Sequence, residues 1–215
     1  MNPNSPIRRS PQRLRDRFKD ETRAAILEAA EGVFASDGVL TARMEAVASK
    51  AGVAVGTLYN HFADRHALVD ALMKVRQGEL LGRLDESLEV HDGRPFVAQL
   101  DAFVASLQEH FTAHAGFVRV LMDSDGQNFG KKVLQPHEMI AQLRDRLELL
   151  VKRGVKSKDV RADDAELFAW FFFGAMRSMM ARRVKGLATE SLAEQRAALV
   201  RFLMQGAQYE PRGRR

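Results

Sequence analysis

Apolar residues return along this chain at the three- and four-residue spacing of a helical face, not at the alternation of a half-buried strand. Ile26, Leu27, Ala30, Val33 and Phe34 form the first stripe, and Gly38 closes it. Thr41 stands where it can cap a second, short helix carrying Met44, Val47 and Ala48. Ala51-Gly52-Val53 breaks that pattern, and a third short helix is predicted from about Thr57 to Phe62. A long fourth stripe starts near Asp64 and carries Leu68, Leu72, Val75, Leu80, Leu81, Leu84 and Leu88.

His91-Asp92-Gly93-Arg94-Pro95 interrupts the pattern, since Gly and Pro punctuate helices. It resumes through Phe96, Leu100, Phe103, Val104, Leu107 and Phe111, then shortens between Phe117 and Met122. Residues 123–132 read as a polar loop, and residues 136–153 as a helix stopped by Gly154. Asp163 with Glu166, and Ser191 with Glu194, have capping-box spacing and open two last helices. The fold class expected is all-α, with no strand, repeat or nucleotide loop.

The length of 215 residues fits one large domain or two small ones, and 46% hydrophobic with 28% charged residues is a globular balance. Cysteine is absent, so a disulfide framework, a thiolate metal site and a thiol nucleophile are excluded. The longest apolar run, Leu167 to Met176, is shorter than the roughly 20 residues a membrane span needs. Arg8-Arg9 lacks the apolar segment of an export signal, so a cytoplasmic protein without membrane contact is expected. The net charge of +5 sits at the ends. Residues 1–23 hold seven basic and three acidic side chains, and residues 208–215 hold three and one. A basic arm beside a small domain suits phosphate neutralisation; a solvated tail has the same composition.

Thr41 to Arg65 carries the functional signal. Two short helices around Ala51-Gly52-Val53 are what a helix-turn-helix requires, with Ala48 allowing a close crossing and Val47, Val53, Leu58 and Phe62 facing inward. The generic spacing also fits ordinary hairpins. The string Ala51-Gly52-Val53-Ala54-Val55-Gly56-Thr57-Leu58-Tyr59-Asn60-His61-Phe62 is sharper: it resembles the recognition segment of the TetR family of bacterial transcriptional regulators. Phe34-Ala35-Ser36-Asp37-Gly38 resembles the end of that family's first helix, and Asp64-Arg65-His66-Ala67-Leu68 the start of its fourth. The likeness covers about residues 22–73.

This resemblance implies a three-helix helix-turn-helix DNA-binding domain plus a larger helical ligand-binding and dimerisation domain. The corresponding boundaries are a basic flexible arm (1–20), the DNA-binding domain (21–66), the effector-binding and dimerisation domain (67–208) and a basic tail (209–215). It implies a homodimeric repressor, paired through its last two helices, on a palindromic double-stranded DNA operator, released by a small molecule. By position, Arg43, Val55, Gly56, Thr57, Tyr59, Asn60, His61 and Arg65 would face DNA. Three positions depart from the family's usual pattern. Ala54 replaces a capping hydroxyl residue, Val55 a polar one, and Arg43 a Thr that touches phosphate.

Elsewhere the residues say less. Trp170 to Phe173 are four successive rings, which cannot share one helix face, so core, partner or ligand must bury both sides. Phe103, Leu107, Phe111, Phe117, Leu121, Phe172 and Met176 are candidates to line an apolar pocket for a lipophilic or aromatic effector. His110 and His114 have the spacing of paired zinc ligands, but no third ligand can be named along the chain. No metal, cofactor or catalytic residue is therefore expected, and the chain reads as a non-enzyme. The rival readings are a helical interaction module with a relict helix-turn-helix, and a helical enzyme.

Overall fold

The computed structural model describes residues 11–124 and 136–207. Its helices are α1 (Pro11–Asp37), α2 (Met44–Lys50), α3 (Val55–His61), α4 (Arg65–Val90) and α5 (Phe96–Ala113). They continue with α6 (Ala115–Ser124), α7 (Pro136–Ser157), α8 (Ala165–Val184) and α9 (Leu192–Ala207). A 3₁₀ turn at Ala162–Asp164 precedes α8. Among the described residues there is no strand, and the chain is all-α. No described helix is long and apolar enough to cross a membrane.

The helices follow the apolar stripes. Ile26, Ala30 and Phe34 of α1 are buried against Val47 and Ala48 of α2 and Leu68, Val69 and Leu72 of α4 within one continuous core. Leu68, Leu72, Leu80 and Leu84 are all fully buried, so α4 contributes to that core along its length. Each such side chain contributes about 1.5–3 kcal/mol relative to exposure. The second half of α4 is clamped to α7 at three levels. Gln77 donates to Gln142 (3.1 Å), Arg146 to Asp85 (2.7 Å), and Arg153 to the Leu88 carbonyl (2.9 Å).

Helix α6 lies directly against α1. A Cβ at Gly116 would overlap the backbone carbonyl of Glu31, so only glycine fits there. The chain segment that carries the short helices is thereby pressed directly on one from the larger half.

Several boundaries differ from the sequence pattern. Helix α1 begins at Pro11, so residues 11–20, expected as part of a flexible arm, are helical. Proline suits a first helical turn, and the Arg17–Glu21 pair (2.7 Å) supports the next ones. Thr41 does not cap α2: its hydroxyl donates to the Asp37 carbonyl, and Arg43 holds the N-cap position without a side-chain bond. Asp163 does not cap α8, because the 3₁₀ turn intervenes. The Ser191–Glu194 box does form: Glu194 N donates to Ser191 Oγ (3.2 Å) and Ser191 N to Glu194 (2.8 Å). The basic stretches at 1–10 and 208–215 lie outside the described residues.

Candidate nucleic-acid interface

Helix α2 ends in a Schellman turn. Val53 N donates to the Ala48 carbonyl (3.0 Å) and Gly52 N to that of Ser49 (3.1 Å). Gly52 sits at φ +68°, where a Cβ is strained, so the residue type follows from the turn. The chain re-enters a helix three residues later. Val47, Ala48, Leu58 and Phe62 are buried and fix how α3 lies on α2. Arg23 of α1 adds a clamp from behind, its guanidinium 4.5 Å from the Phe62 ring centroid. Arg23, counted by sequence with the basic arm, therefore packs on the domain itself.

With Leu58 turned fully inward, the opposite face of α3 points outward. Val55, Gly56, Tyr59 and Asn60 are exposed, while Thr57 and His61 are half-buried. Ala54 occupies the N-cap of α3 and makes no side-chain capping bond. Gly56 has nothing within 4 Å of where its Cβ would be, so the packing of this chain gives no reason for glycine there. Arg43 is exposed at the start of α2. Arg65 donates to the Leu40 carbonyl (2.6 Å), tying the α1–α2 loop to the start of α4. Asp64 caps α4 by accepting from Ala67 N (2.8 Å). The eight residues named from sequence thus lie on α3 and at the two helix starts beside it.

The effector candidates divide. A cavity of about 160 Å³ is lined by Leu107, Phe111, Leu121, Phe172 and Met176, with Met139 and Leu143 of α7 completing the wall. A second, of about 270 Å³, shares Phe111 and Met176 and adds Gln108, Val118, Leu192 and Gln195. Phe103 and Phe117 line neither cavity. Both are fully buried, Phe103 edge-on to Phe172 (5.9 Å) and Phe117 packed on His110 (5.6 Å) and Phe111 (6.4 Å). Sequence periodicity identifies inward-facing residues but does not separate core from cavity wall. It also missed Gln108 and Gln195, buried polar residues whose place in an otherwise apolar lining has no periodic signature.

The aromatic run splits as its spacing requires. Phe172 is fully buried and Phe173 half-buried, whereas Trp170 and Phe171 are 64% and 62% exposed. Leu167 and Phe202 extend that exposed apolar face from α8 to α9. A polar cluster lies where α1, α4 and α5 meet. Arg76 bonds both Glu31 (2.8 Å) and Glu79 (2.9 and 3.0 Å), and His114 Nδ1 lies 3.1 Å from Glu31. His110, fully buried beside His114, is pushed down to about 4 by burial and then by its histidine neighbour.

Residues 26–72 match the family described as bacterial regulatory proteins, tetR family. HTH-type transcriptional regulator UidR of Escherichia coli (strain K12) is 33% identical over 103 residues, 47% of this chain. The chain spans about half (51%) of that relative's length. HTH-type transcriptional repressor KstR2 of Rhodococcus jostii is 26% identical over 151 residues, 69% of this chain and 73% of that protein. Among solved structures, the transcriptional regulator FadR from Bacillus subtilis in complex with stearoyl-CoA superposes with a TM-score of 0.73. It covers 86% of this chain and 99% of that one at 18% identity, a likeness of fold.

Proposed function

Since the chain belongs, through residues 26–72, to the tetR family of bacterial regulatory proteins, we propose that it is a transcriptional repressor, not an enzyme, that binds a palindromic operator as a homodimer and leaves it when an apolar effector binds. The observation that carries this reading is the outward face of α3. A helix seven residues long, held rigid by buried Leu58 and Phe62, holds Tyr59, Asn60 and an unobstructed Gly56 toward solvent. Such a face fits the major groove, where an Asn amide can pair with adenine and Val55 can meet a thymine methyl. Gly56 admits a close backbone approach. Thr57, Tyr59 and His61 supply polar contacts, and Arg43 supplies a phosphate contact. Arg65 keeps donors to spare beyond the one given to Leu40.

The division of labour follows. Residues 21–66 read DNA, the basic stretches at 1–20 and 209–215 add phosphate contacts, and residues 67–208 bind effector and dimerise in the cytoplasm. The exposed face of Leu167, Trp170, Phe171 and Phe202 supports pairing through α8 and α9, because a monomer seldom leaves such a patch uncovered. The two cavities support a lipophilic effector, walled by Leu107, Phe111, Leu121, Phe172 and Met176, with Arg177 and Arg183 at their margins. Stearoyl-CoA in the Bacillus subtilis neighbour makes acyl chains the first class to try.

The test is selection of bound sequences from random DNA by the purified protein. A two-fold symmetric site should be enriched, and its affinity should fall with log[salt] at a slope of about −0.9 per phosphate neutralised. No enrichment at low salt, in protein refolded free of ligand, would leave a helical interaction module as the better reading.

A further inference from the structure

We propose that Glu79, His110 and His114 form a binding site for one divalent metal ion of the zinc class, at the junction of α1, α4 and α5. One ligand atom from each of the three residues lies within 4.8 Å of the others. Tetrahedral zinc holds ligand atoms about 3.4 Å apart, from metal–ligand distances of about 2.0–2.2 Å. His114 Nε2 and Glu79 already stand 3.6 Å apart, so rotamer adjustment closes the rest. Two imidazoles and one carboxylate suit zinc, cobalt or nickel rather than magnesium or calcium, which take oxygen. A fourth position stays with water.

Two features point to an occupant instead of a plain ion-pair network. The first is His110. It is fully buried, and neither ring nitrogen has a hydrogen-bond partner. Polar atoms left so in a protein interior call for a partner, and an ion-pair network of Glu31, Arg76, Glu79 and His114 supplies none. The second is Glu31. Its carboxylate stands 3.1 Å from His114 Nδ1, on the far side of the ring from Glu79. A carboxylate accepting the Nδ1 proton leaves the Nε2 lone pair facing Glu79, the outer arrangement typical of a zinc-ligating histidine.

The local charge permits it. Arg76 and Arg83 are the cations that bear on His110. Arg76 is held by Glu31 through both Nε (2.8 Å) and Nη2 (2.7 Å), so Glu79 can turn from Arg76 to a metal without stranding the guanidinium. Arg83 is exposed and free to keep its charge in water. Glu79 is itself exposed, which gives an ion a way in from solvent.

The test uses tag-free full-length protein stripped with chelator and titrated with Zn²⁺ in a calorimeter, without DNA, so its outcome is independent of the DNA-binding reading. One zinc per chain is expected. Glu79→Gln and His114→Ala should each weaken it by about tenfold or more, while His91→Ala leaves it unchanged. Co²⁺ should give the visible absorption of a four-coordinate site, lost in both weakened variants. Replacing the orphaned imidazole by His110→Leu should abolish zinc binding while keeping or raising the melting temperature of the metal-free protein. Absence of zinc binding by the wild type, or binding that survives Glu79→Gln and His114→Ala together, overturns the proposal.

Discussion

Helices α3 and α8 both turn large side chains to solvent, but of opposite character. The outer face of α3 presents Tyr59, Asn60 and Gly56 above a buried Leu58. The outer face of α8 presents Trp170, Phe171 and Leu167 above a buried Phe172. One face is suited to a hydrated, hydrogen-bonding partner. The other is suited to a dry one, and a second copy of the same face is the simplest partner of that kind. What each helix leaves exposed is thus as informative as what it buries.

The contrast can be broken most forcefully on α8. Aspartate at both Trp170 and Phe171 should leave a monomer in sedimentation at micromolar concentration. Operator affinity should then fall about 100-fold or more, because two linked reading heads become one. A double variant that stays dimeric would remove α8 from the interface. On α3, Asn60→Ala should weaken the selected operator by about 1–3 kcal/mol. Its thermal midpoint should stay unchanged, since the side chain is exposed. Equal binding of wild type and variant by fluorescence anisotropy would refute the assigned reading face.

Smaller effects probe the scaffold under both faces. Gly116→Ala should cost about 1–3 kcal/mol in urea unfolding, because the added methyl must push α6 off the Glu31 backbone. An unchanged midpoint would mean that α6 and α1 are not rigidly seated. Ala54→Ser should stabilise by about 0.5–2 kcal/mol in the same assay by supplying the missing cap of α3. A loss of stability would show that α3 is held only by its buried side.

The helix-turn-helix was legible because its determinants are local. Val47, Ala48, Gly52, Leu58 and Phe62 lie within sixteen residues, and their spacing alone fixes which way each points. The larger helical half was legible only as helices. Whether Phe103 or Phe111 faces a cavity depends on how α7 and α8 pack against α5, which spacing within α5 does not encode. Two of the helix starts failed for a similar reason. Thr41 and Asp163 have good capping chemistry, yet a turn of backbone on one side and a 3₁₀ segment on the other moved the caps by one or two residues. His110 and His114 were visible as a pair, but Glu79 comes from another helix 31 positions earlier, so the third member of the cluster emerged only from the packing of α4 on α5.

Helix α4 is also a mechanical element. Its 26 residues make a rod about 39 Å long at 1.5 Å per residue. Arg65 sits at one tip, bonded to the loop ahead of α2, and the α7 clamp grips the other half at Gln77, Asp85 and Leu88. A stiff beam gripped at one end converts rotation into travel. A tilt of about 5° about Asp85, roughly 30 Å from Arg65 at 1.5 Å per residue, carries that tip through about 2.6 Å, most of a base-pair step. A shift at the clamp therefore reaches the loop ahead of α2 through one continuous helix.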